Sequence, residues 1–307
     1  MHIVKPCLCA KKGVMTMNTS ITSSSITDGQ KKQIKRFVED AVDRVFADGV
    51  LDKDGAQKLI SNGDELQVRV IEVIRELSAN QYADEEVESS YGYLSGYKPK
   101  DITEQTNRLR ELIPGIGYAN EKLAEQPFPP NAERWFAVPR WQKVGKTYEE
   151  ALQKALDLIK QTRNGKFYNY REGQIGPDRL RLRAKTQKAL EAIGQQQKGN
   201  DILVIPCQFG LRHRGRSVRR ALEVMPVTEF GNDPFTIACM ILTHPERLQH
   251  LDDLWIDCAG AEYDCDGDGS FDGAPFFYFG GGEVRFGGRY AGGAYGRYGS
   301  SSGFLPQ

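Results

Sequence analysis

Residues 201–206 read DILVIP, and the fold class turns on them. Four consecutive apolar side chains, three of them β-branched, show no polar–apolar alternation. Such a run suits a strand covered on both faces rather than one with a wet side. Outward on the C-terminal side come GLRHRGRS (210–217) and then helical spacing over Val218–Met225 and Pro234–Thr243. LWIDCAG (254–260) and PFFYFGGGEVRF (275–286) read as strands. On the N-terminal side, Pro177 is expected to open a long basic helix to about Gln197, and GKFYNYREG (165–173) reads as a strand. Thr147 and Glu150 set a capping-box pattern for a helix to Gln161, and RWFAVPRW (134–141) is extended and aromatic. Strands alternating with helices predict an α/β or α+β domain.

Farther out, the pattern changes. Asp28 reads as an N-cap, and Ile34, Phe37, Val38, Ala41, Val42, Val45 and Phe46 follow at helical spacing. Leu66, Val70, Ile71, Val73, Ile74 and Leu77 mark another helix, and Asp101–Ile113 a third, stopped by PGIG. The expected division is a disordered tail over 1–27, a helical module over 28–126, an α/β domain over 127–279 and a Gly/Tyr-rich segment over 280–307. EQPFPPN (125–131) forms the joint between module and domain. Residues 280–304 hold ten Gly in 25, with the tyrosines and arginines typical of flexible RNA-binding segments.

At 307 residues with 39% apolar content, the chain can bury a sizeable core. Net charge is zero but unevenly spread. Lys166–Arg220 carries 13 Lys/Arg against 4 Asp/Glu, whereas Leu222–Glu283 carries 1 against 13. Either the basic stretch meets a polyanion or the two stretches neutralise each other across the fold. Six scattered cysteines (Cys7, Cys9, Cys207, Cys239, Cys258, Cys265) give no disulfide framework, so reduced thiols in a cytoplasm are expected. No apolar run reaches the ~18 residues of a membrane helix, so no membrane partner is expected. Met15 and Met17 offer internal starts, which leaves residues 1–16 open as part of the natural chain.

Two loops carry chemistry. In the basic loop, Arg212, Arg214, Arg216, Ser217, Arg219 and Arg220 gather at a strand-to-helix turn. Guanidiniums and backbone amides there suit phosphate or carboxylate. The loop fits the spacing of a nucleotide P-loop only with Arg216 in place of its Lys. Its crowded interior (Arg212, His213, Arg214) and the short chain remaining argue against that reading. Cys207 and His213 miss the thiol-phosphatase spacing, because the sixth residue after the cysteine is His, not Arg.

The second is DCDGDGSFDG (264–273). Asp264, Asp266 and Asp268 stand at alternate positions, Gly269 permits the turn, Ser270 offers a carbonyl and Asp272 another carboxylate. Over these ten residues the chain resembles the Asp-x-Asp-x-Asp-Gly calcium loop. The bidentate Glu of an EF-hand is replaced by Pro275, and the flanks are strands, so the EF-hand fold is not carried over. The resemblance implies a structural Ca2+ or Mg2+ site, with Glu262 as a candidate extra carboxylate.

In QFGLRHRGRSVRRALEV, LTHPERL, DCAG and FLPQ, the chain is also similar to uncharacterised bacterial proteins of no assigned activity. That similarity spans most of the chain after residue 130 and implies no functional residues. The expected function is binding of a phosphate-rich polyanion, nucleic acid foremost, with the Arg loop as anion site and the aromatics interleaved with cations in RWFAVPRW and KFYNYR as a stacking surface. The alternatives are an enzyme holding a phosphorylated or carboxylated small molecule with a divalent ion, and a non-catalytic structural or interaction protein.

Overall fold

The computed structural model describes residues 26–78 and 80–306, and the chain divides into two units, one through Ala79 and one from Asn80. Eight α-helices and eleven strands among the described residues give a mixed α/β fold. The tail expected over 1–27 lies outside the described residues except for Ile26 and Thr27.

The first unit is three helices, α1 (Asp28–Ala47), α2 (Lys53–Ser61) and α3 (Gly63–Ser78). Thr27, not Asp28, caps α1: its hydroxyl accepts from the Gln30 amide while the Gln30 side chain accepts from the Thr27 amide. Asp52 caps α2 through the Gly55 amide. No residue of α1 or α2 is buried.

The second unit takes in residues that the sequence pattern groups with the first. α4 (Ile102–Leu112) buries Ile102 and Leu109 against β1 (Arg134–Pro139) and β4 (Ile202–Gln208), so the division falls near residue 80 rather than 126. β4 is buried along its whole length, as DILVIP requires. It lies between β1 and β11 (Ser302–Phe304), with β5 (Glu229–Gly231) outermost, all antiparallel. β11 comes from the Gly/Tyr-rich tail, which therefore supplies an interior strand rather than a flexible appendage. Its Gly303 lies against the Phe230 ring, so a Cβ there would fall 2.6 Å from it.

A second sheet runs β10 (Tyr298–Ser300), β6 (Trp255–Asp257), β8 (Gly273–Gly280), β7 (Ala261–Tyr263), β3 (Leu180–Leu182). β9 (Glu283–Tyr290) pairs with β8 along its full length and carries β2 (Phe167–Asn169) on its far side. The helix expected from Pro177 is interrupted: Leu180–Leu182 pairs with β7, and α6 (Ala184–Gln196) starts only after Arg183. β10 and β11 are separated by Ser301 alone, so one short segment joins both sheets.

α5 (Tyr148–Thr162) buries Ala151, Leu152, Ala155, Leu156 and Ile159, one face of a 3.6-residue period. α8 (Pro234–Thr243) is buried on every side and apolar all round. Its N-cap Asp233 accepts from the Phe235 and Thr236 amides and from the Tyr148 hydroxyl. The remaining helix, α7 (Val218–Val224), follows the basic loop.

Candidate ligand-binding face

The basic loop is built into the fold by its glycines. Gly215 has φ +77°, and a Cβ there would sit 2.2 Å from the Val87 carbonyl oxygen. Its amide donates to the Tyr298 carbonyl, and its own carbonyl accepts from the Val87 amide. The loop is thus held between residues 85–89 and β10, and this placement decides what its arginines meet. Arg212 and His213 both donate to the buried Glu229. Arg216 and Arg220 share Glu86, Arg219 meets Glu85, and Arg220 also meets Glu223. Ser217 caps α7 through the Arg220 amide and donates to Glu85.

Burial works against the Glu229 carboxylate. Hydrogen bonds from His213 and Ser302 and the Arg212 charge outweigh it and hold its pKa low. Glu86 is likewise held low, its partial burial outweighed by Arg220 and Arg216. Among the five loop arginines, only Arg214 has no carboxylate partner among the described residues. It is exposed and donates to the Tyr91 carbonyl. Glu85 and Glu86, its neighbours' partners, lie far upstream in sequence, where charge counting over Leu222–Glu283 does not look.

In the acidic loop, Asp264 is buried and its oxygens accept from the Gly267 and Gly269 amides at 2.6 and 2.9 Å, with Arg179 at 3.8 Å. Burial raises its pKa, but the two amides and Arg179 outweigh that and hold it low. Asp268 accepts from the Ser270 amide, and Asp266, Asp268 and Asp272 are exposed. Glu262 is engaged by Arg181 and Arg183 at 2.5 and 2.8 Å. Among the described residues no three His, Cys, Asp or Glu side chains gather as a metal-holding set.

The larger feature is an aromatic row across the outer face of the second sheet. Register sets Tyr298 beside Trp255, Tyr278 beside Arg285, and Arg285 beside Tyr168. The Trp255 and Tyr278 rings meet at 4.3 Å, bridging β6 and β8. Opposed residues of paired strands point to the same side, so five strands contribute one row: Tyr298, Trp255, Tyr278, Arg285, Tyr168. Phe276 stacks on Tyr278 at 5.2 Å and 16°, and its ring crosses Gly287, where a Cβ would approach to 3.1 Å. The inward neighbours Ile256, Phe277 and Phe286 are fully buried.

Cations interleave the rings. The exposed Arg297 lies 5.2 Å over Trp255, and Arg285 donates to the Tyr170 hydroxyl at 2.9 Å. Arg289 lies 3.9 Å over Tyr298 and is neutralised by the buried Asp257. Trp255, Tyr278 and Tyr298 are half-buried, while Tyr168, Tyr170 and Tyr295 are about half exposed to solvent. One end of the row opens into a hollow of about 380 Å3 lined by Tyr91, Trp255, Tyr295, Arg297 and Tyr298.

Of the two aromatic–cation stretches singled out by sequence, KFYNYR supplies Tyr168 and Tyr170 to this face. RWFAVPRW does not join it: Trp135 is buried in the core and donates to the Gln126 carbonyl. Trp255, Tyr278 and Arg297 were missed. For Tyr278 the signal is the unbroken PFFYF run, which puts aromatics on both faces of a strand where one wet face calls for alternation.

A second hollow, about 510 Å3, lies beside the basic loop, lined by Asn131, Glu133, Gln208, Leu211, Arg212 and Arg214. Glu133 accepts from the Tyr93 and Tyr97 hydroxyls and the Phe209 amide, and burial raises its pKa. Behind it the fully buried Arg247 lies 3.8 Å over the Tyr93 ring.

The chain matches no protein-family model, no curated protein and no solved structure. Among the described residues no helix is long and apolar enough to cross a membrane.

Proposed function

We propose that this protein binds single-stranded nucleic acid on the outer face of its second sheet. The observation that carries the reading is the five-strand row Tyr298–Trp255–Tyr278–Arg285–Tyr168, with rings in contact and Arg297 over the indole. Sheet faces bearing two or three aromatic residues are a recurrent way of stacking unpaired bases. Each stacked base contributes about 1–3 kcal/mol with little regard to sequence. Phosphates fall to cations without carboxylate partners among the described residues, Arg297 and Arg214, and to Lys166 beside β2, rather than to the paired arginines of the loop. The described cysteines are all free thiols, which fits action in the reducing cytoplasm.

The test is quenching of tryptophan fluorescence by a short oligo-dT or oligo-rU. Quenching that weakens with salt, and that Trp255→Ala and Tyr278→Ala each reduce with the fold intact by circular dichroism, supports the reading. Absence of binding at low salt overturns it. Binding of a neutral oligosaccharide in its place, without salt dependence, also overturns it.

The Glu133 hollow favours a second reading, an enzyme acting on a small anion. Arg212 and Arg214 border it and suit a phosphate or carboxylate, while Glu133, with its raised pKa, suits proton transfer. Saturable binding of a small phosphorylated compound, abolished by Glu133→Gln and indifferent to Trp255→Ala, would favour this reading over the first.

A further inference from the structure

Residues 28–78 carry an apolar surface that their own unit does not cover. Ile34, Val38, Ala41 and Val45 on α1 fall at spacings of four, three and four, and so do Leu66, Val70, Val73 and Leu77 on α3. This is the heptad rhythm of helices that pack along a continuous seam. All of these but Leu66 line one open groove of about 640 Å3, walled almost wholly by apolar side chains of α1 and α3. Phe37 on its α1 wall is 60% exposed and Leu77 on its α3 wall 82%. Three helices with no buried residue on α1 or α2 lack a core of their own, so a stable arrangement needs a further layer over the groove.

The charges on α1 say which layer fits. Its first half, Asp28–Phe37, has four cations (Lys31, Lys32, Lys35, Arg36) and one acid. Its second half, Val38–Ala47, has three acids (Glu39, Asp40, Asp43) and one cation, Arg44. Two local pairs, Lys31–Asp28 at 3.0 Å and Arg36–Asp40 at 3.7 Å, are exposed and offset little of this polarity. A helix that is positive at one end and negative at the other complements itself when a second copy lies antiparallel. A two-fold axis across α1 produces that arrangement, each half meeting the opposite half of its mate.

We propose that the α1/α3 groove is the interface of a homodimer, in which two copies close each other's grooves as an antiparallel helical bundle. The proposal is independent of the aromatic face.

The experiment is sedimentation equilibrium of the full chain. The expected result is a dimer that Val38→Asp with Val73→Asp converts to monomer, the second unit's melting transition staying where it was. Reversing the basic end (Lys31→Glu, Lys32→Glu, Lys35→Glu) is expected to weaken the dimer by roughly tenfold, since exposed charge pairs are individually weak. Reversing the acidic end (Glu39→Lys, Asp40→Lys, Asp43→Lys) is expected to do the same. Both sets in one chain restore self-association, and the two singly reversed chains mixed one to one form a heterodimer more tightly than either alone. These six positions are exposed, and circular dichroism verifies that the helices persist. A wild-type chain monomeric over the accessible concentration range overturns the proposal. So does a dimer indifferent to Val38→Asp with Val73→Asp, or charge reversals without rescue on mixing.

Discussion

α1 and α5 are written in the same code and end in opposite circumstances. Each repeats apolar residues at helical spacing and each opens on a threonine cap. Yet α5 buries five side chains against α8 and the sheets, while α1 buries none. Periodicity names the face of a helix that must be covered; it does not say what covers it. In the second unit the cover is supplied by the chain itself. In the first unit α1, α2 and α3 leave the groove open, and the polarity of α1 fits a second copy as the covering layer.

The sharpest way to break this comparison is to remove equivalent bulk on each side of it. Leu156→Ala on α5 opens a cavity in a fully buried site and is expected to cost about 2–5 kcal/mol of the second unit's stability. Phe37→Ser on α1 removes a larger side chain that already meets solvent. It is expected to leave the second unit's unfolding transition unmoved and to act only on self-association. Denaturant unfolding followed by Trp135, buried in the second unit, reads both. A comparable loss of that unit's stability from Phe37→Ser would show that the two helices do not differ in the way their burial implies.

A subtler difference separates two groups of carboxylates in the second unit. Glu86, Glu223 and Glu229 have pKa values held low. The stability they contribute is present above the ordinary Glu value of 4.5 and is lost as pH falls through their lower folded values. Glu133 has the opposite sign. Its folded pKa is raised by burial, so its contribution is full below 4.5 and is lost as pH rises through the folded value. Glu133→Gln should therefore remove a decline in stability as pH rises above 4.5 while leaving the acid limb to the other three. Melting curves of the variant and the wild type across that window read the slope. Parallel curves would show that Glu133 sits in water.

The two charged loops divide in the same way between residues that hold the fold and residues that face solvent. Asp264 is turned inward onto the Gly267 and Gly269 amides, whereas Asp266 and Asp268 point outward. Asp264→Ala is expected to lower the melting temperature and Asp266→Ala to leave it unchanged. Calcium up to millimolar shifts the wild type only if the loop binds it, since a ligand of the folded state raises stability by mass action. A rise with calcium, abolished by Asp266→Ala, would show that the loop reorganises around the ion.

How much of this was legible follows from the range of each interaction. The β4 strand, the Thr147 cap and the face of α5 depend on neighbours a few residues apart, and the sequence pattern displays them. The break before α6 depends on Leu180–Leu182 pairing with β7, some eighty residues on, and helical periodicity could not anticipate it. The tail was misjudged for a related reason. Its glycines suggest freedom, yet Gly303 is required by the Phe230 ring of the adjoining strand. The arginine loop was found, but its partners Glu85 and Glu86 were assigned to a helical module on the other side of a boundary. The aromatic row was invisible because its members come from five strands spread between Tyr168 and Tyr298.

The smallest expected effects sharpen the distinction inside the basic loop itself. Arg216 is paired with Glu86 with both side chains about a third exposed, so Arg216→Ala is expected to cost no more than about 1 kcal/mol. Arg214 holds only a backbone carbonyl, and Arg214→Ala is expected to leave stability where it is. Their effects on an oligonucleotide should run the other way. A cation that meets a phosphate releases a counterion, so losing it flattens the log–log salt dependence of binding by roughly 0.7 for a single strand. Arg214→Ala and Arg297→Ala are each expected to flatten the slope by about that amount, additively, because neither meets a carboxylate among the described residues. Arg216→Ala is expected to leave the slope alone, its charge being already offset by Glu86. Equal flattening by Arg214→Ala and Arg216→Ala would show that the Glu86 pair opens on binding. No flattening by any of the three would show that the ligand's phosphates lie elsewhere, and that the loop's arginines serve the fold alone.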